Sequence, residues 1–207
     1  MIDSMLLQQQ ATQLQISNDY EFSQQLKTEA ISELRRAGED LEQRMIDTIA
    51  EQFANAEPYI PSEATRTRFA SEVNWWFKRI PIPVAWHYDG QPFNTASQMR
   101  HFVNERGYLP MYAAPSILGN TYHKHRAVHD FYTHIEAEIP FGPVGELACY
   151  RIHKQMYSKE LYPLIFSDIV LNNAYYERYG KFFNGEKYIC MSEIDKNICS
   201  HATIGSN

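Results

Sequence analysis

Arg126 to His153 reads RAVHDFYTHIEAEIPFGPVGELACYRIH. Two helix-forming runs flank a break made by Pro140, Gly142, Pro143 and Gly145, residue types that stop a helix or sit at its ends. The pattern predicts one helix over about 120–138 and a second over about 145–157. The short connection between them favours antiparallel packing. Ser158 is placed to cap a third helix over about 159–178, with Pro163 tolerated in its first turns. This stretch decides for a mainly α fold, a compact helical bundle.

The same stretch carries His129, Asp130, His134, Glu146 and His153. At ~100° per residue, Asp130 and His134 fall about 40° apart on one helix face, and His129 stands about 100° from Asp130 at its edge. Glu146 and His153 are seven residues apart, close to two turns, and share a face of the next helix. The third helix offers Asp168 and Asn172 one turn apart, with Asn173 beside them. If these faces converge, they gather imidazoles and carboxylates in a mixture suited to iron, manganese or zinc. The expected metal ligands are His129, His134, Glu146 and His153. Of these, His134, Glu146 and His153 are expected to hold the ion, with His129 or Asp130 completing or orienting the shell. Asp130 and Asp168 are the expected catalytic groups. His123 and His125 are read as solvent-facing, and Tyr150, Tyr157, Tyr175 and Tyr176 as core or supporting groups.

Upstream, residues 1–18, rich in glutamine with Gln8, Gln9, Gln10, Gln13 and Gln15, are read as a leader or a mobile helix. Asn18 to Ala54 follows a helical pattern, with Leu26, Ile31, Leu34, Leu41, Met45, Ile46 and Ile49 recurring mostly every three to five residues and Gly38 as a candidate interruption. Residues 1–56 are read as an N-terminal helical extension, either a packing helix or one through which copies of the chain associate as a homo-oligomer. Residues 57–207 are read as the helical metal-binding domain. Within it, Ser62 is a helix N-cap with Glu63 in the first turn, leading to Trp75, Trp76 and Phe77 as core aromatics. Pro81 to Phe93 reads as a loop or short hairpin around Asp89-Gly90. Asn94 or Thr95 caps a helix to Arg106, closed by Gly107, and Pro110 to Gly119 reads as a loop.

With 207 residues and a net charge of −6, the chain lacks the basic surface that a general nucleic-acid binder needs to neutralise phosphates. The nearest basic run, Tyr122 to Arg126, has only Lys124 and Arg126 formally charged at neutral pH. Cys149, Cys190 and Cys199 form no CxxC pair and cannot all be paired in disulfides, which points to a reducing compartment. Cys190, Cys199 and His201 match no common zinc spacing. No stretch approaches the ~20 apolar residues needed to span a bilayer. The expectation is a soluble cytoplasmic protein with no membrane partner and a small-molecule substrate.

The segment Arg126–Tyr176, a quarter of the chain, resembles an uncharacterised helical domain of phage and mobile-element proteins. The likeness lies in RAVHDFYTH, FGPVGE, His153, the MYS of Met156 to Ser158, and Asp168 with Asn172 and Asn173. It implies a phage or prophage origin, and hence the host cytoplasm, without implying a reaction. VHDFYTH with Gly145-Glu146 is also similar to the metal motif of a coenzyme Q biosynthesis family, His-Asp, two residues, His, then eleven residues and Glu. Here three residues separate Asp130 from His134, one more than in that family. His129 to His134 matches in spacing alone the His-Glu-x-x-x-His of pterin-dependent aromatic hydroxylases. The order His101, His129, Asp130, Asp168 is similar to that of HD-domain phosphohydrolases.

These readings lead to a metal-dependent enzyme, preferred as a non-haem iron-type oxidoreductase. One alternative is a metal-dependent phosphohydrolase acting on nucleotides, although no Gly-rich phosphate loop is evident. The other is a non-enzymatic phage structural or host-interaction protein whose histidines staple the core.

Overall fold

The computed structural model describes residues 4–41, 43–87, 89–90, 92–113, 116, 118–183 and 187–189, with side chains from residue 21 onward except at Gln43. Cys190, Cys199 and His201, and the side chains of the glutamine-rich leader, lie outside the described residues.

Two long N-terminal helices, α1 (Ser4–Asp40) and α2 (Gln43–Asn55), wrap the bundle. Their apolar residues Leu26, Ala30, Ala37, Ile46, Ile49 and Phe53, with Leu41 between the two helices, join the same buried cluster as the rest of the chain. Residues 22–53 of the expected extension are thus packed into the bundle. A buried arginine fastens it there. Arg151, 8% exposed, donates from Nη2 to Asp40 Oδ2 at 2.6 Å, and its Nη1 lies 3.5 Å from Glu33 Oε2. Truncating one partner of a buried ion pair strands the other charge. Arg151→Ala is expected to lose about 3 kcal/mol of stability, read as a lower urea midpoint. An unchanged midpoint would show that α1 is held by apolar contacts alone.

Helix α3 (Glu63–Phe77) starts where Ser62 accepts a hydrogen bond from Thr65 N at 3.1 Å. Of its aromatics, Trp76 is half-buried and donates from Nε1 to Met156 O at 2.8 Å, whereas Trp75 is 49% exposed with Arg79 stacked 3.3 Å from its ring centroid. The core expectation for Trp75 is therefore corrected. Tyr176, at 44% exposure, also stands outside the core.

Strand β1 (Val84–His87) pairs in parallel with β2 (Leu109–Tyr112), from Val84↔Leu109 to His87↔Tyr112. The expected hairpin and the expected loop from Pro110 are corrected by this pairing. Parallel strands require a crossover, here supplied by α4 (Ala96–Arg106). Thr95 caps α4 by accepting from Gln98 N at 3.2 Å, and Gly107 ends it in the left-handed conformation at φ 72°.

The core of the bundle is made by α5 (Asn120–His129), a π-helical segment Asp130–Glu136, α6 (Pro143–Met156), a 3₁₀ turn Lys159–Leu161, α7 (Tyr162–Phe166), a second π-helical segment Ser167–Leu171 and α8 (Asn172–Tyr179). Ser158 caps less directly than expected. Its backbone N–H and Oγ both donate to Glu72, at 2.9 and 2.6 Å, tying the start of the third run to α3. The fold is a mainly α, compact bundle with one small two-stranded sheet among the described residues.

Candidate metal centre

The helix that begins at Asn120 changes character at Asp130. From there the backbone follows the wider π pattern, with Ala137 N bonding Tyr132 O at 3.2 Å, five residues back. Thr133 Oγ1 donates to His129 O at 2.7 Å and so occupies a carbonyl left at the junction. The wider turn brings residues five apart onto one face. His129 and His134 meet, with their Nε2 atoms 3.0 Å apart, and the α-helical pairing of Asp130 with His134 is superseded.

Glu146 comes from the first turn of α6. Its Oε2 lies 3.3 Å from His129 Nε2 and its Oε1 3.5 Å from His134 Nε2. One turn further, Cys149 completes a group in which His129, His134, Glu146 and Cys149 offer donor atoms within 4.8 Å of one another. His134, Glu146 and Cys149 are buried, at 1%, 5% and 0% exposure; His129 is partly buried.

Gly145 sets the approach of α6 to the preceding loop. A Cβ there would lie 1.9 Å from Pro140 O, so only glycine fits without moving backbone. Gly145→Ala is expected to cost about 1–3 kcal/mol through overpacking and to weaken metal binding by shifting Glu146. A melting curve and metal content indistinguishable from wild type would show that the loop yields freely.

The protonation pattern is built in. His134 Nδ1 lies 2.9 Å from Ile139 O, and because a carbonyl only accepts, Nδ1 carries the proton. Neutral His134 therefore presents a bare Nε2 to the centre, the second-sphere arrangement common among metal-bound histidines. Arg100 Nη1 donates to His134 O at 2.9 Å and fixes the backbone there. Burial lowers the pKa of His134, but Glu146 beside it outweighs this and raises it overall. Burial likewise works against the Glu146 carboxylate, yet His134 and His129 hold its pKa down at about 2. Burial, reinforced by Glu146, keeps the Cys149 thiol protonated well above its ordinary range. A coordinated cation would reverse that preference.

The other expected site residues are placed differently. His153 is buried next to the group but outside it, with Nε2 3.0 Å from His129 Nδ1. The expected roles of His129 and His153 are thus exchanged in space: His129 faces Glu146 and His153 stands behind it. Asp130 is buried and also outside the four, contributing charge that raises the pKa of His134 and Arg126. Asp168 lies in the second π-helical segment, where its Oδ1 accepts from the Tyr122 hydroxyl at 3.0 Å. His101, one of the four HD-like positions, is on the surface with a 75% exposed side chain 3.3 Å from Glu105.

Two members of the neighbourhood were missed or misassigned in the sequence. Cys149 is three residues after Glu146, a spacing that one helical turn makes adjacent. His125, expected at the surface, is 1% exposed and four residues before His129. Helical spacing was the available signal for both.

No protein-family model matches the chain, and neither a curated protein nor a solved structure matches it. What fold and geometry define is a mainly α-helical protein with a buried histidine, glutamate and cysteine group able to hold a metal ion. No described helix is long and apolar enough to cross a membrane.

Proposed function

We propose that this protein is a metalloenzyme that holds a divalent ion at His129, His134 and Glu146 and performs oxidative chemistry of the non-haem iron type on a small-molecule substrate. The observation that carries the reading is the convergence of two imidazoles and one carboxylate within 4.8 Å in a buried setting. Two histidines and one carboxylate with positions left open form the ligand set of non-haem iron oxygenases. Such an ion supplies redox chemistry when bound. The chain supplies one negative charge from Glu146, a fixed lone pair on His134 Nε2, and a buried wall that excludes water. His129 is the one member of the group that is not fully buried, so a substrate would approach on its side.

Cys149 favours a second reading. If its thiolate joins the two histidines and Glu146, four protein ligands close the site, as in structural zinc centres. The ion would then staple the π-helical segment to α6 without catalysing anything. The two readings separate in one comparison. Oxygen uptake by the iron-loaded protein over a panel of small organic substrates, abolished in His134→Ala, supports the enzyme. Zinc as the native metal, with neither oxygen uptake nor phosphate release from nucleotides under Mn²⁺ or Co²⁺, supports the staple. Phosphate release without oxygen uptake would instead make it a hydrolase.

A further inference from the structure

His129 is held from both sides by one helix. On one side its Nε2 lies 3.3 Å from Glu146 Oε2, and on the other its Nδ1 lies 3.0 Å from His153 Nε2. Glu146 and His153 both belong to α6, about two turns apart, so a single element sets both contacts. His153 is 0% exposed and packs against the rings of His125 and Tyr157, at centroid distances of 5.8 and 5.6 Å. Close packing of this kind holds its imidazole in one orientation.

The proton positions follow from the chemistry of imidazole. The His129 nitrogen that faces His134 and Glu146 is Nε2. If that atom binds the ion, the one proton of the neutral ring resides on Nδ1. Nδ1–H then donates, and the atom 3.0 Å away must accept, so His153 presents a bare Nε2 and carries its own proton on Nδ1. Outer partners of this kind fix the orientation and basicity of a metal-bound histidine. His134 already has one in Ile139 O at 2.9 Å. We propose that His153 is the corresponding partner of His129, a positioning residue that aims Nε2 of that ring at the ion without touching the ion itself. This role rests on the metal centre proposed above, and it employs a buried imidazole that the donor group leaves out.

The test uses the metal-stripped full chain reloaded with zinc(II), which is diamagnetic and so permits NMR. A long-range proton–nitrogen correlation spectrum of the zinc-loaded wild type is expected to show both His129 and His153 protonated on Nδ1, with Nε2 of His153 bare. His153 protonated on Nε2 would overturn the role. Zinc affinity, measured by competition with a chromophoric chelator, supplies the second arm. His153→Phe keeps a ring of similar size but removes the acceptor, and should weaken zinc binding about 10–100-fold. His153→Gln returns an acceptor oxygen close to the place of Nε2 and should recover most of that loss. A folded His153→Phe that binds zinc as wild type does, or equal losses in both folded variants, would reduce His153 to packing and overturn its positioning role. Should either variant fail to fold, the wild-type spectrum decides alone. Failure of the centre itself looks different: wild type then takes up zinc no better than His134→Ala, and the role of His153 falls with it.

Discussion

Glu146→Gln is expected to purify without stoichiometric metal and to bind added metal at least about a hundredfold more weakly than wild type. Loss of a mere outer partner costs ~10–100-fold, and Glu146 is the one carboxylate in the candidate donor group. The amide keeps the shape of the side chain but removes the charge that offsets the cation, so packing alone cannot account for the loss. The variant carries a second signature in the metal-free state. Glu146 raises the pKa of His134 through charge and a hydrogen bond. Removing it leaves a protonated His134 buried without its main counter-charge, which is costly, whereas a neutral His134 bears little penalty. Metal-free Glu146→Gln should therefore be destabilised more at pH 6 than at pH 9, as read by urea unfolding. Equal losses at both values would mean that Glu146 and His134 are not electrostatically coupled.

Acid should unfold the metal-free protein unusually early. Burial, with His129 and Arg126 adding to it, pushes the pKa of His125 down from 6.5 to about 3. Burial and the neighbouring imidazoles hold His153 well below its ordinary value. Both are bases that stay neutral when folded and take up a proton once unfolded. The unfolded chain thus binds more protons below pH 6.5, and stability falls with pH until the folded values are passed. Between pH 6.5 and 5, His125 alone should remove about 2 kcal/mol, and His153 adds to it. His134 does not cancel this. Its folded pKa is raised, so its contribution is fully present below its unfolded value and is lost only as pH rises through the folded one. Glu146, held at about 2, adds a further loss between its ordinary 4.5 and that value. His125→Phe should flatten the profile between pH 6.5 and 5. A wild-type protein equally stable at both would contradict the neutral burial of these rings.

Much of the fold was legible because its signals are local. Ser62, Thr95 and Gly107 mark helix ends through their own side chains or backbone preference, and each acts where the sequence placed it. The break from Pro140 to Gly145 likewise separates two helices by residue chemistry alone. Long-range pairing left no comparable trace. Val84–His87 and Leu109–Tyr112 are four residues each, and nothing within either says that its partner lies across a helix. The N-terminal helices looked separable since their apolar stripe reveals that a face is buried but not what covers it.

The site was half legible for a related reason. His129, His134 and Glu146 could be named from residue type, but assuming an α-helix paired His134 with Asp130. The switch to π geometry at Asp130 changes which side chains meet, and no residue in the run announces it as a proline or glycine would. Cys149 was hidden by being a single cysteine amid apolar residues, where the bland reading is core packing. His125 sat among Tyr122, His123 and Lys124, a polar run that suggested solvent. In the fold, α3 covers it through Phe69, whose ring centroid lies 5.1 Å away.

Elemental analysis of wild type beside His134→Ala tests most directly whether the His129, His134 and Glu146 group binds a metal ion. Wild type is expected to contain stoichiometric iron, manganese or zinc, with at least one equivalent per chain lost in a His134→Ala protein that remains folded. The same metal content in both, or none in wild type even after reconstitution, would contradict it.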